Sequence, residues 1–262
     1  MRTEIARLDV SIRRRSLIGY SLGMVVYTLV VVALYPAFKD STSLDKLIKD
    51  DATISALFGV TGTISSSGGW LNGNIYSNFL PLVMLLLTIG YGAASLAGQD
   101  EDGTLCLLAT LPIRRTTLVL EKAAAMALQA VVLAVAVGVC VLVGRSFDLT
   151  VTLANVAAIS TTTVLLGLDF GLAAMAIGAY TGGRATALGT GTALAAASYL
   201  VGSLAPVVSW IHPARYASLF YWSVGNDQIT HGASLADYAV LTAVALCGLY
   251  SATTAFQRLD LH

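Results

Sequence analysis

Charged side chains are scarce in this chain: they make up 11% of its 262 residues, against 56% hydrophobic ones. Soluble domains carry about 25% charged residues, so together with a mean hydropathy of +0.76 this excludes a water-solvated globule. Cysteine is equally thin. Cys106, Cys140 and Cys247 lie in or near apolar runs, odd in number and at no metal-ligand spacing, and are expected to be small buried hydrophobes. No G-x-x-x-x-G-K-[ST] stretch is present, so the chain is not expected to bind ATP by itself. Nor is there a Ser/His/Asp set, a carboxylate pair or a Cys/His cluster at a spacing that supports catalysis or a metal. We therefore expect a non-enzyme with no catalytic, cofactor-binding or metal-ligating residues. The formal net charge is zero, and no nucleic-acid partner is expected. Pro-rich linkers, internal repeats and low-complexity boundaries are missing too, which leaves one membrane domain over 1–262.

What is abundant is long apolar runs. In the hydrocarbon core each backbone polar group must be paired within the chain, and runs of this length choose helices over a barrel. The expected fold is all-α with six transmembrane helices, at Leu17–Phe38, Ser77–Ala97, Ala123–Val143, Val151–Tyr180, Ala185–Val207 and Asp237–Phe256. The basic N-terminal stretch leads into an apolar run without a small-residue cleavage pattern, so it is not expected to be a signal peptide. Over 1–16 it places Ile5, Leu8 and Ile12 on one stripe with Arg2, Arg7 and Arg13 to Arg15 mostly elsewhere, the pattern of an amphipathic elbow helix on a membrane surface.

Orientation follows from lysine and arginine. With both termini inside, Arg2, Arg7, Arg13, Arg14, Arg15, Arg114, Arg115, Lys122, Arg184 and Arg258 fall on the cytoplasmic side. Only Lys39, Lys46, Lys49, Arg145 and Arg215 fall outside, three of them among aspartates. The positive-inside rule favours this N-in, C-in topology.

Three connections are long. The outer loop 39–76 opens with a helical pattern and ends near Trp70 and Tyr76, which suit an interfacial anchor. The cytoplasmic loop 98–122 predicts a short helix: Asp100, Glu101 and Asp102 supply negative charge at its start, Leu105, Leu108 and Leu111 an apolar stripe, and Pro112 its end. That stripe must be buried, either against a partner protein or back on the bundle. The outer segment 208–236 carries Trp210, His212, Tyr216, Phe220, Tyr221 and Trp222 between prolines and predicts broken helices in an aromatic belt. His212 reads as an interfacial side chain rather than a ligand or base.

Asp169 is the one acid well inside a span. An intramembrane acid costs about 2.5–3.5 kcal/mol on the insertion scale, and it sits between Gly167 and Gly171, a small-xxx-small pair that admits a close helix. Two readings stand: a group on the transport path or a proton-linked switch, or an interhelical hydrogen bond to Ser198, Thr28 or Gln129.

The stretch EDGTLCLLATLPIRRTTLVLEK resembles the cytoplasmic loop of ABC-2 type transporter permeases, with an acidic residue, Gly-Thr-Leu, a Leu-rich turn, Leu-Pro and basic residues. LLGLDFGLAAMAIGAYTGGRATALGTG, LAPVVSWIHPARYASLFYW and the C-terminal AFQRLDLH resemble the family in the same order, so the likeness covers essentially the whole chain. The resemblance implies a permease subunit of an ATP-driven exporter of a hydrophobic or amphipathic substrate such as a drug, lipid or peptide. It also implies a second permease copy or paralogue, two cytoplasmic ATPase subunits that bind the ATP and Mg, and contact with membrane lipid. Glu101, Asp102, Gly103, Thr104, Leu105, Leu108, Leu111 and Pro112 would be the coupling helix that docks on the ATPase. Trp210, His212, Tyr216, Phe220, Tyr221 and Trp222 would belong to a re-entrant outer gate over 208–236. The expected location is a bacterial cytoplasmic membrane. The alternative, of another class, is a secondary transporter coupled to protons through Asp169, or a non-transporting assembly component.

Overall fold

The structure is a computed structural model that describes residues 4–39, 65–104, 114–206, 208 and 210–258. Among these residues every regular element is helical. Six helical stretches are long and apolar enough to cross a membrane: Ser11–Phe38, Ser67–Glu101, Arg115–Phe147, Leu153–Thr181, Arg184–Leu204 and Leu235–Arg258. All six expected spans are thus present, with ends shifted outward at the second and third.

The first helix, α1, runs Glu4–Phe38. From Glu4 onward the basic stretch expected as an elbow helix over 1–16 is therefore continuous with the first span. No Gly or Pro lies between Arg13 and Leu17 to end a helix there.

The second span is a ribbon of short pieces: α2 (Ser67–Leu71), a π-helical turn (Asn72–Tyr76), α3 (Phe79–Ala93), a second π-helical turn (Ala94–Gly98) and α4 (Gln99–Glu101). Ser66 caps α2 by accepting from Gly69 N–H. The break at Ser77–Asn78 has a cause in Pro81, which lacks the N–H that Ser77 C=O would accept and whose ring would strike that carbonyl.

The outer loop expected over 39–76 is shorter than that. Residues 67–76 belong to the bundle, while the helical pattern expected over 44–58 lies outside the described residues. Trp70 and Tyr76, expected at the interface, are buried. The reason is that Trp70 finds its polar partner inside. Its Nε1–H donates to Val31 O at 3.0 Å, and its ring stacks on Phe38 at 5.3 Å between centroids.

The remaining long helices are α5 (Arg115–Val143), α6 (Leu153–Thr181), α7 (Arg184–Leu204) and α10 (Leu235–Arg258), with α8 (Leu219–Ser223) and α9 (Gln228–His231) between the last two. The α6 helix is the axis of the bundle, packed by α3, α5, α7 and α10, while α1 packs on α5. Thr152 caps α6 through Asn155 N–H. A reciprocal box starts α10, with Ser234 N–H donating to Asp237 Oδ2 at 2.8 Å and Asp237 N–H to Ser234 Oγ at 3.2 Å.

Around this axis the outward faces stay greasy. Leu22, Val26 and Leu29 on α1, Val131, Val135 and Val139 on α5, and Leu246 and Tyr250 on α10 are exposed at helical spacing. Bands of this kind exceed what a water-facing surface carries and suit lipid.

Candidate functional site

The α3 and α6 helices meet at their glycines. A Cβ on Gly92 would lie 2.1 Å from Gly171 O, one on Gly167 2.5 Å from Met84 Cγ, and one on Gly171 2.9 Å from Thr88 Cβ. Contact this close leaves α3 with its opposite side turned toward α7. Between them lies an apolar groove of about 410 Å³. Leu82, Leu86 and Ile89 of α3 form one wall, and Leu188, Thr192 and Tyr199 of α7 the other. Tyr199 O–H closes one end by donating to Asn78 Oδ1 at 2.9 Å.

Of the six aromatics expected at an outer gate, Phe220 alone lines this groove. It is buried and packs edge-on against Tyr199 at 5.3 Å and beside Phe170 at 6.3 Å. The others lie elsewhere. Arg215 gathers His212, Tyr216 and Tyr221 around its guanidinium: 3.0 Å to His212 Nε2, 2.7 Å to Tyr216 Oη, and 5.4 Å over the Tyr221 ring. Trp222 Nε1–H donates to Tyr216 O at 2.8 Å, and Trp210 is exposed. The broken helices expected over 208–236 are present as a 3₁₀ turn (His212–Ala217) and as α8 and α9. They are tied to α6 through Thr162 O–H to Ser223 O and Asn155 Nδ2 to Ile229 O.

Asp169 is 2% exposed, and neither of its carboxylate oxygens has a hydrogen-bond partner among the described residues. The partners expected for it are otherwise engaged or apart. Ser198 is bonded to Ser218 and Leu219, Gln129 donates to Ala125 O, and Thr28 is buried with no partner. The expected interhelical hydrogen bond is therefore not made.

At the opposite end of the groove the chain enters the 98–122 connection. Asp100 and Glu101, expected at the start of a short helix, lie in α4 at the end of the second span, and after the turn at Asp102 and Gly103 the chain is helical again at Thr104. Asp102 N–H bonds Gly98 O, and Gly103 adopts φ +69°, the left-handed conformation that terminates helices. Thr104 donates from its hydroxyl to Gln99 O. Leu105, Leu108, Leu111 and Pro112 lie outside the described residues.

Both described ends of this connection are anchored. Glu101 Oε1 accepts the backbone N–H of Arg184, the first residue of α7, at 2.8 Å. Gln99 Oε1 accepts from Lys122 Nζ at 2.8 Å, and Lys122 also reaches Asp9 Oδ2 at 3.3 Å. Tyr91 O–H donates to the same Asp9 oxygen at 2.6 Å, and Arg13 lies 4.9 Å over the Tyr91 ring. Arg115 Nη1 donates to Phe256 O and Gln257 O in the last turn of α10, where a cation complements the helix dipole.

The Asp9–Lys122 pair was missed from sequence, although it left a trace. Asp9 falls on the Ile5, Leu8, Ile12 stripe, where a surface helix would keep an apolar residue, and Lys122 follows Leu118 and Val119. An acid on an apolar stripe and a base on another are what a buried pair looks like before folding.

A comparison with curated proteins finds no match. A family model described as ABC-2 family transporter protein matches residues 3–261, so the chain, a multi-pass α-helical membrane protein, belongs to the ABC-2 family of transporter proteins.

Proposed function

We propose that this chain is the permease subunit of an ATP-driven exporter, with the end that carries Arg13, Arg115, Lys122 and Arg184 in the cytoplasm, and that the groove between α3 and α7 is the path for an apolar or amphipathic substrate. The observation that carries this reading is the groove itself: its two walls are spanning helices, the α3 wall continues into the segment 98–104 at the basic end, and the α7 wall is tied to that segment through Arg184 N–H and Glu101. Family membership supports an ABC ATPase as the partner in general. In the full assembly two permeases pair with two ATPases, which hold the ATP and Mg. Closure of the ATPases displaces the 98–122 connections, and the groove changes its access from one side to the other. Lateral entry of substrate from lipid suits walls this apolar.

The test is association. Leu105→Asp and Leu108→Asp are expected to abolish co-purification of the ATPase while leaving the chain inserted, checked by pull-down from detergent extract. Undiminished pull-down removes the coupling role of 98–122.

One observation favours a second reading, a secondary transporter: the mid-span carboxyl of Asp169, which has no hydrogen-bond partner among the described residues. The comparison of Asp169→Asn with Asp169→Ala separates the two. The permease reading expects Asn to preserve transport and stability, since an amide keeps the volume of the site without a charge. A stable Asn variant that no longer transports, together with uptake driven by a proton gradient in the parent, supports the secondary transporter.

A further inference from the structure

Of the six spans, α7 buries the smallest share of its residues. Its only buried residues are Ala187, Gly191 and Ala195, which offer little side chain for packing. Its N-terminus follows a pair of glycines. Gly182 has φ +67° with open space where a Cβ would stand, and Gly183, at the N-cap position, supplies no side chain to satisfy the first N–H groups. The missing cap comes from another helix. Glu101, at the end of α4, places Oε1 2.8 Å from Arg184 N, a negative charge at the positive end of the α7 dipole. Gly98 leaves room for the Arg184 side chain beside it, since a Cβ there would come within 3.1 Å of Arg184 Cδ.

The same short turn has a second tie of different character. Gln99 grips Lys122, which is fully buried and paired with Asp9. One residue pair is thus sealed inside the bundle, whereas Glu101 and Arg184 are both exposed. Water can replace the Glu101 contact at little cost and cannot replace the Lys122 contact without hydrating a buried charge.

From this asymmetry we infer that Glu101 is a releasable latch: its carboxylate caps α7 and holds it against α3, and displacement of the segment that carries Glu101 pivots on Gln99, withdraws the cap and lets α7 swing about Gly182 and Gly183 to widen the groove. That the ATPase supplies the displacement rests on the proposed function. The latch itself is a property of this chain alone. Glu101 is a positioning residue, acting on the groove through α7.

The experiment measures α7 directly, without ATPase or substrate. Spin labels at Leu120→Cys on α5 and Leu200→Cys on α7, both exposed positions, report the distance between the bundle and the end of α7 farthest from Gly182 and Gly183 by pulsed electron paramagnetic resonance. Cys106, Cys140 and Cys247 are replaced by alanine, and labelled chain is diluted with unlabelled chain. A control pair, Leu120→Cys with Leu246→Cys on α10, does not span the latch. Glu101→Ala is expected to raise the ratio of displaced to docked α7 about tenfold, the effect of losing one good helix cap, with the control pair unchanged. Glu101→Gln keeps an acceptor oxygen without the charge and is expected to give a smaller rise, which also serves as the readout if the alanine variant does not accumulate. An unchanged α7 distance in these variants overturns the latch, and so does equal broadening at the control pair, which would make Glu101 a general stabiliser. Either failure leaves the proposed function standing, whereas a working latch in a chain that captures no ATPase in the pull-down would remove the proposed function and leave the latch.

Discussion

Lys122→Met is expected to destabilise the bundle by about 3–5 kcal/mol, the cost of removing one partner from a buried ion pair. Lys122 has no exposed surface and its ammonium bridges Gln99 and Asp9. After the substitution Asp9 keeps Tyr91 O–H at 2.6 Å and the more distant Arg13, but loses the cation in direct contact with it at a nearly buried site. The pair joins α1, α5 and the end of the second span, so its loss affects three elements at once. The double variant Asp9→Asn with Lys122→Met removes both charges. It is expected to recover most of the loss, because a matched neutral pair costs far less to bury than a lone carboxylate. Thermal and denaturant unfolding of the purified protein in detergent, arranged as a double-mutant cycle, measures both. A single-variant loss under about 1 kcal/mol would mean that the pair is hydrated and acts like a surface salt bridge.

Gly92→Ala is expected to cost about 3 kcal/mol or to prevent accumulation, at the upper part of the range for overpacking. An added methyl would stand 2.1 Å from Gly171 O and 3.2 Å from Met175 N, both backbone atoms of α6. A flexible side chain could turn aside, but a backbone carbonyl in the middle of a packed helix moves only with its helix. The α3 and α6 axes would have to separate, opening the contact on which the α3 wall of the groove is built. Gly138→Ala on α5 is the matched control. Its Cβ would meet Val156 Cγ1 at 3.6 Å and Ser160 Oγ at 3.7 Å, ordinary contact distances. There the alanine is expected to be neutral or to stabilise by up to about 1 kcal/mol, because glycine is the poorer helix former. Expression level and unfolding midpoint in detergent check the contrast, and equal losses at the two positions would contradict it.

Hydropathy and length alone located the six spans, since a bilayer leaves a chain this apolar few other choices. The order of short motifs over the whole chain pointed to the family that the family model then matched over residues 3–261. The sequence also marked where chemistry was unusual: the acid at 169, the aromatics after Pro206 and the acidic start of 98–122. How those residues are used was not written in their local pattern. Helical periodicity placed Asp100 to Asp102 at the start of a helix, but it did not show that the first two also close the second span, with Gly103 in the left-handed conformation between them and the helical Thr104. Nothing near Trp70 in the chain announces that Val31 O and Phe38 will draw it inside.

The same holds for the groove and the contacts around it. Composition and periodicity determined that this chain is a six-span helical membrane protein, because burial in lipid acts on each segment by itself. Tertiary structure decided which helices face each other, which of the aromatics after Pro206 reaches the groove, and that Glu101 caps a helix 83 residues away. Those outcomes depend on pairs of residues distant in sequence, whose energies exist only once the helices have packed.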